Sequence, residues 1–158
     1  MAKKVYCDLS LCLGCKSCEL ACAVEHSKSK ELLNAIAEKS KKRVSVQASI
    51  HMPAPIRCQH CEVAACVLAC MSGAMRKDEK TGKTIHDEDK CVGCWMCVMA
   101  CPFGAITPEF QNKIVLKCDL CPDRDTPACV EACPTRALFI GSFEEFQKKV
   151  AKKNKVGK

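Results

Sequence analysis

Sixteen of the seventeen cysteines in this 158-residue sequence fall into four groups of four. The third group runs Cys91-Val-Gly-Cys94-Trp-Met-Cys97-Val-Met-Ala-Cys101-Pro102, and the first, Cys12, Cys15, Cys18 and Cys22, has the same spacing. The second group (Cys58, Cys61, Cys66, Cys70) and the fourth (Cys118, Cys121, Cys129, Cys133) each lengthen one interval. Three thiols set two residues apart let one short loop wrap a compact metal core, while the fourth points away from that loop. This is the spacing of a [4Fe–4S] ligand run, in which the fourth cysteine ligates the other cluster of a pair. A longer interval still returns its third thiolate, so four groups imply four [4Fe–4S] clusters.

Two other uses of cysteine fit less well. A disulfide framework belongs to oxidising compartments, and no secretory signal stands before the first motif, so a reducing, cytoplasmic location is expected. Zinc sites use paired Cys-x-x-Cys knuckles and do not require a third and fourth cysteine in every group. Only 4% of residues are aromatic, so bound clusters rather than a large core must cross-link the chain, and the cluster-free form should be largely unfolded. The formal charge of +7 needs the same correction. Sixteen thiolates and four oxidised cores add about −8, which leaves the loaded chain near neutrality. The basic excess is therefore compensation and not a nucleic-acid surface, and no aromatics interleave the lysines as single-strand binding requires.

Along the chain, Met1 to Asp8 reads as a short strand leading to Cys12. Cys7 lies outside every group and reads as a buried free thiol. Cys18 to His26 reads as a short helix carrying Cys18 and Cys22 on one face, with His26 at its solvated end. Ser29 to Lys42 is an insert with Leu32, Leu33, Ile36 and Ala37 at helical spacing, followed by the solvated charge run 39–43. Arg43 to Ile50 alternates as a strand, which Met52-Pro-Ala-Pro55 ends. Strand-turn-strand units follow the second and third groups, over 74–87 and 105–116, and a strand over 136–140 follows the fourth. Pro102 and Pro134 stop the helices carrying Cys101 and Cys133. Cys22 and Cys70 lack that proline. The tail from Ser142 reads as a short helix with Ser142 and Glu145 as a capping box. No apolar run reaches the length of a membrane span.

Four such groups, with the second and fourth lengthened, resemble the four-cluster iron–sulfur electron-transfer subunits of the dimethyl sulfoxide reductase and formate dehydrogenase type, over Tyr6 to Gly141. The resemblance implies an α+β fold of two fused bacterial 2[4Fe–4S] ferredoxin-like units. The outer unit is formed by residues 1–52 and 112–158 (groups one and four), and the inner unit by 53–111 (groups two and three). It also implies the ligand sets: Cys12, Cys15, Cys18 with Cys133; Cys58, Cys61, Cys66 with Cys101; Cys91, Cys94, Cys97 with Cys70; and Cys118, Cys121, Cys129 with Cys22. Some members replace a cysteine of the third loop by tryptophan. Here Cys97 remains, so Trp95 is expected to pack over a complete cluster.

Within that family the stretch from Cys12 to Ser27 is similar to the iron–sulfur subunit accompanying nickel carbon monoxide dehydrogenase. That similarity implies electron transfer between carbon monoxide dehydrogenase and a redox acceptor, within a hetero-oligomer. The alternative is the iron–sulfur subunit of a formate dehydrogenase/hydrogenase complex, of the formate hydrogenlyase or hydrogen-dependent carbon dioxide reductase type. No catalytic residue is expected, because four complete quartets leave no open iron and no acid–base constellation stands beside them.

Overall fold

The structure, a computed structural model, describes residues 3–47 and 52–156. It is a small α+β assembly of four two-stranded antiparallel sheets and short helices. β1 (Lys4–Cys7) pairs with β8 (Leu138–Gly141), with Lys4 opposite Gly141 and Cys7 opposite Leu138, so strands far apart in sequence are joined. Between them come α1 (Ser17–Glu25), α2 (Leu32–Ala37), β2 (Ser45–Gln47), β3 (Ala54–Ile56) and α3 (Ala65–Leu68). The hairpin β4 (Met75–Lys77) and β5 (Thr84–His86) follows, then α4 (Met96–Ala100) and the hairpin β6 (Ile106–Glu109) and β7 (Ile114–Lys117). α5 (Ala128–Glu131) precedes β8, and α6 (Phe143–Val156) ends the described chain.

Two small cores hold these pieces together. Val5, Val46, Leu120 and Leu138 pack around Cys18, Cys118 and Cys129, with Cys7, Cys58 and Cys133 at the margin. Met75, Ile106 and Val115 pack around Cys97, with Cys66, Cys70, Cys91, Cys101 and Trp95 at the margin. Helices carrying cysteines pack in pairs: α1 lies on α5, and α3 on α4. Thiols make up so much of each core that little apolar area remains to stabilise the fold without metal.

β1, the hairpins after groups two and three and β8 after group four form where the sequence places strands, and Met1 and Ala2 of the first expected strand lie outside the described residues. α6 runs fourteen residues, longer than the short helix expected. Its capping box is present: the Glu145 amide donates to Ser142 Oγ (3.2 Å) and the Ser142 amide to Glu145 Oε2 (2.7 Å), an arrangement that satisfies two end donors of the helix. Tyr6 anchors it by stacking on Phe146, with ring centroids 5.2 Å apart.

Two expectations are corrected. The segment 52–55 does not simply end a strand: Ala54–Ile56 is itself β3, with Pro55 opposite Val46. A proline is tolerated there because a two-stranded sheet consists only of edges. Ala48 and Ile50 of the expected alternation lie outside the described residues. α2 forms within the insert as a surface helix, burying Ala35 while Leu32, Leu33 and Ile36 stay exposed. The charge run after it is paired and not free in solvent. Lys41 pairs with Glu109 (2.6 Å), Lys42 with Glu19, and Arg43 with Asp119 (2.5 Å), so the insert is clamped to α1, β6 and the fourth cysteine loop.

Candidate metal centres

Each group begins as a Cys-x-x-Cys loop whose second intervening residue is left-handed: Gly14 (φ 66°), His60 (φ 46°), Gly93 (φ 64°) and Leu120 (φ 67°). In groups one and three that residue is glycine, and at Gly93 a side chain would collide with the Lys113 carbonyl oxygen. In the lengthened groups the same backbone turn is held by buried side chains, since His60 is 1% and Leu120 3% exposed. A bulky residue persists in this region only where its surroundings over-determine it. The next cysteine is followed in groups one and three by a second left-handed residue, Lys16 and Trp95 (both φ 61°), which starts α1 and α4. Trp95 packs edge-on against Phe110, with centroids 5.3 Å apart.

All seventeen cysteines are free. Cys12, Cys15 and Cys18 line one cavity with Cys133 and Cys7. Burial pushes the Cys118 thiol up to about 12 and raises Cys121 and Cys129, and repulsion from Cys22 adds to each. Burial likewise raises Cys58 and Cys66, and Cys61 and Cys101 raise them further while Lys117 opposes. Burial pushes Cys97 up to about 11, with Cys70 and Cys91 adding repulsion. In every case thiols of one loop stand near the fourth cysteine of another group. Cys7 stands against Cys12 and Cys133 and is pushed up to about 12, first by burial and then by Cys12.

Backbone amides point at sulfur in three comparable places: Arg43 N to Cys22 Sγ (3.2 Å), Met75 N to Cys70 Sγ (3.3 Å) and Ala105 N to Cys101 Sγ (3.5 Å). Such amides favour the thiolate, the form in which cysteine ligates metal. Thiolate-only sets of this size are soft-donor sites that suit iron–sulfur clusters. Buried Arg57 Nε and His60 Nε2 beside them have no partner among the described residues, as donors facing an anionic group would.

The sequence predicts His26 in solvent. It is instead a bonded residue, its side chain 12% exposed. Nδ1 donates to the Cys22 carbonyl (2.7 Å), and Nε2 lies 3.3 Å from both Asp119 oxygens. Burial of the ring disfavours its charge, but the bonds to Asp119 and Cys22 outweigh burial and raise His26 to about 10. Asp119 is held well below the carboxylate range because those bonds, with Arg43, overcome its own burial. His26, Asp119 and Cys121 also bring three metal-binding atoms within 4.8 Å of one another. Asp119 is already paired with Arg43 there, and Cys121 belongs to group four, so the trio is part of that group's surroundings.

The sequence profile of the 4Fe-4S dicluster domain matches residues 49–143, and the chain belongs to that family. It is an electron-transfer iron–sulfur protein by its relatives. An "Iron-sulfur protein" of Rhodospirillum rubrum is 41% identical over 90% of this chain and 84% of its own length. The B subunit of the anaerobic dimethyl sulfoxide reductase of Escherichia coli (strain K12) is 39% identical over 90% of this chain and 74% of its own length. "Electron transport protein HydN" of the same organism is 32% identical over 98% and 97%. No helix among the described residues is long and apolar enough to cross a membrane.

Asp119→Ala removes the shared acceptor of His26, Arg43 and the Cys121 amide. With its carboxylate 30% exposed, the expected cost is about 1 to 2 kcal/mol. The variant should load iron yet lose part of it to a chelator several-fold faster than wild type, measured as the decay of visible absorbance; an unchanged rate contradicts a structural role for the clamp.

Proposed function

We propose that the chain carries electrons through four [4Fe–4S] clusters between a catalytic oxidoreductase and a redox acceptor, and is not itself a catalyst. When bound, each cluster supplies a site that takes up and releases one electron. The observation that carries this reading is the grouping of thiols: Cys12, Cys15 and Cys18 share a cavity with Cys133, Cys118, Cys121 and Cys129 lie near Cys22, Cys58 and Cys66 near Cys101, and Cys97 near Cys70. We therefore assign Cys12, Cys15, Cys18 and Cys133 to one cluster and Cys118, Cys121, Cys129 and Cys22 to its neighbour. Cys58, Cys61, Cys66 and Cys101 hold the third, and Cys91, Cys94, Cys97 and Cys70 the fourth.

Two nested units follow from these exchanges, groups one and four outside and groups two and three inside. The β6–β7 hairpin joins them, since Val115 packs in the core around Cys97 while Lys117 leads directly into Cys118. Cys7 is a packing thiol beside the first cluster. Of the sixteen proposed ligands, Cys15 and Cys94 are the exposed ones. Exposed apolar side chains flank both, Leu13 at one and Val92 and Met99 at the other. Electrons enter and leave most directly at these two loops, where partners of the hetero-oligomer dock. Cysteines that serve as cluster ligands and not as disulfides support a location in the reducing cytoplasm.

For the partner we infer carbon monoxide dehydrogenase, on the likeness of the first cysteine loop to the subunit that serves that enzyme. A formate dehydrogenase/hydrogenase complex is the second reading, favoured by the wide family resemblance of the four groups. Anaerobically purified protein should contain about 16 iron and 16 acid-labile sulfide per chain, and values near half, or stoichiometric zinc, contradict four clusters. Carbon monoxide with catalytic carbon monoxide dehydrogenase should bleach the visible absorbance of the protein within the mixing of the two. Bleaching only by formate with formate dehydrogenase, or by hydrogen with hydrogenase, selects the second partner. Turnover of carbon substrate by the purified chain alone overturns the reading as an electron carrier.

A further inference from the structure

Among the described residues, two cations are buried, Arg57 and Lys117, each 3% exposed. Neither has a carboxylate within ion-pair distance among those residues, although nine other pairs form around them. Both immediately precede the first cysteine of a lengthened group. Arg57 donates Nη1 to the Pro55 carbonyl (3.3 Å) and Nη2 to the Val5 carbonyl on β1. It lies within electrostatic reach of Cys129, Cys118, Cys7 and Cys18, thiols of the outer groups. Its Nε is buried with no partner. Lys117 donates Nζ to the carbonyls of Thr84 (2.5 Å) and Cys118 (2.9 Å), and its charge acts on Cys58 and Cys66 of the second group. An isolated buried cation is strongly disfavoured unless an anion compensates it.

The third group is built differently. The strongest electrostatic influences on Cys97 are thiols, Cys70, Cys91 and Cys66, with no cation among them, and the lysine preceding the first cysteine of that group, Lys90, is 60% exposed and shared with Asp87 (3.4 Å).

We propose that Arg57 and Lys117 are fixed counter-charges that raise the reduction potentials of the clusters at groups one, four and two above that of the cluster at group three. A site that gains one negative charge when it takes up an electron is reduced more readily beside a positive charge it does not share with a carboxylate. The group-three end is therefore the most reducing, and electrons delivered at Cys94 by a low-potential donor run downhill toward Cys15. This inference rests on the four-cluster reading, whose own failure would appear earlier, as an iron content near half of that expected.

The test is a potentiometric titration of the anaerobically purified, fully loaded protein, followed by electron paramagnetic resonance. Arg57→Met should lower two of the four potentials by at least a ten-fold shift in the one-electron reduction equilibrium, ~59 mV each. Lys117→Met should lower by a similar amount at least one that Arg57→Met leaves in place. The lowest wild-type potential should stay fixed in both, and Arg57→Lys should restore most of the shift, which a purely structural role for the guanidinium would not allow. Unmoved potentials in loaded variants, a uniform shift of all four, or movement of the lowest one overturns the proposal. If Arg57→Met does not load, Lys117→Met and Arg57→Lys decide it by the same criteria.

Discussion

Thiols driven out of water and against one another are the constraint on which the rest of this structure depends. Burial and the nearness of Cys118 and Cys22 hold the Cys129 thiol far above its ordinary range, and the Arg57 charge opposes them. Metal-free, this is a poor core: its members gain little from contact, and their charged forms repel. Iron inverts that balance, because a coordinated thiol is deprotonated and the cation cross-links loops that have almost no apolar area to share. Short helices such as α3 and α5, four residues each, are too short to be stable alone. They persist as supports for cysteines on a cross-linked frame.

The polar surroundings follow from the same constraint. The insert between groups one and two has an exposed apolar helix face, yet its basic end is tied down at three points, to Glu109, Glu19 and Asp119. Through the last of these, Arg43 and His26 brace the loop that carries Cys118 and Cys121 against the end of α1 that carries Cys22. A clamp between those two segments makes physical sense if they present thiols to one shared metal site. Arg57 and Lys117 play the corresponding part inside, each bridging from the group it precedes toward thiols of the other pair.

Much of this was legible in the sequence because cysteine spacing and strand alternation are local signals. The four loops, the hairpins after groups two and three and the capping box of α6 all follow from residues within a few positions of one another. The charged residues were not legible, since their roles depend on contacts across long sequence separations: His26 and Asp119 are 93 residues apart, Arg43 and Asp119 76. Lys90 and Lys117 look alike in the sequence, each just before a first cysteine. Lys117 is buried because it ends β7 opposite Ile106, whereas Lys90 follows a turn. Cluster charge calls for basic residues to offset it, but composition does not single out which of the twenty-five lysines and arginines stand beside the thiols.

The exchange of fourth cysteines between groups is the central claim, and Cys22 tests it most directly. Electron paramagnetic resonance of reduced Cys22→Ser protein, with Cys7→Ser as the control, should show the cluster of the fourth loop altered or lost and the cluster of the first loop intact, while Cys7→Ser retains all four. Damage to the first loop's cluster with the fourth loop's unchanged would contradict the account.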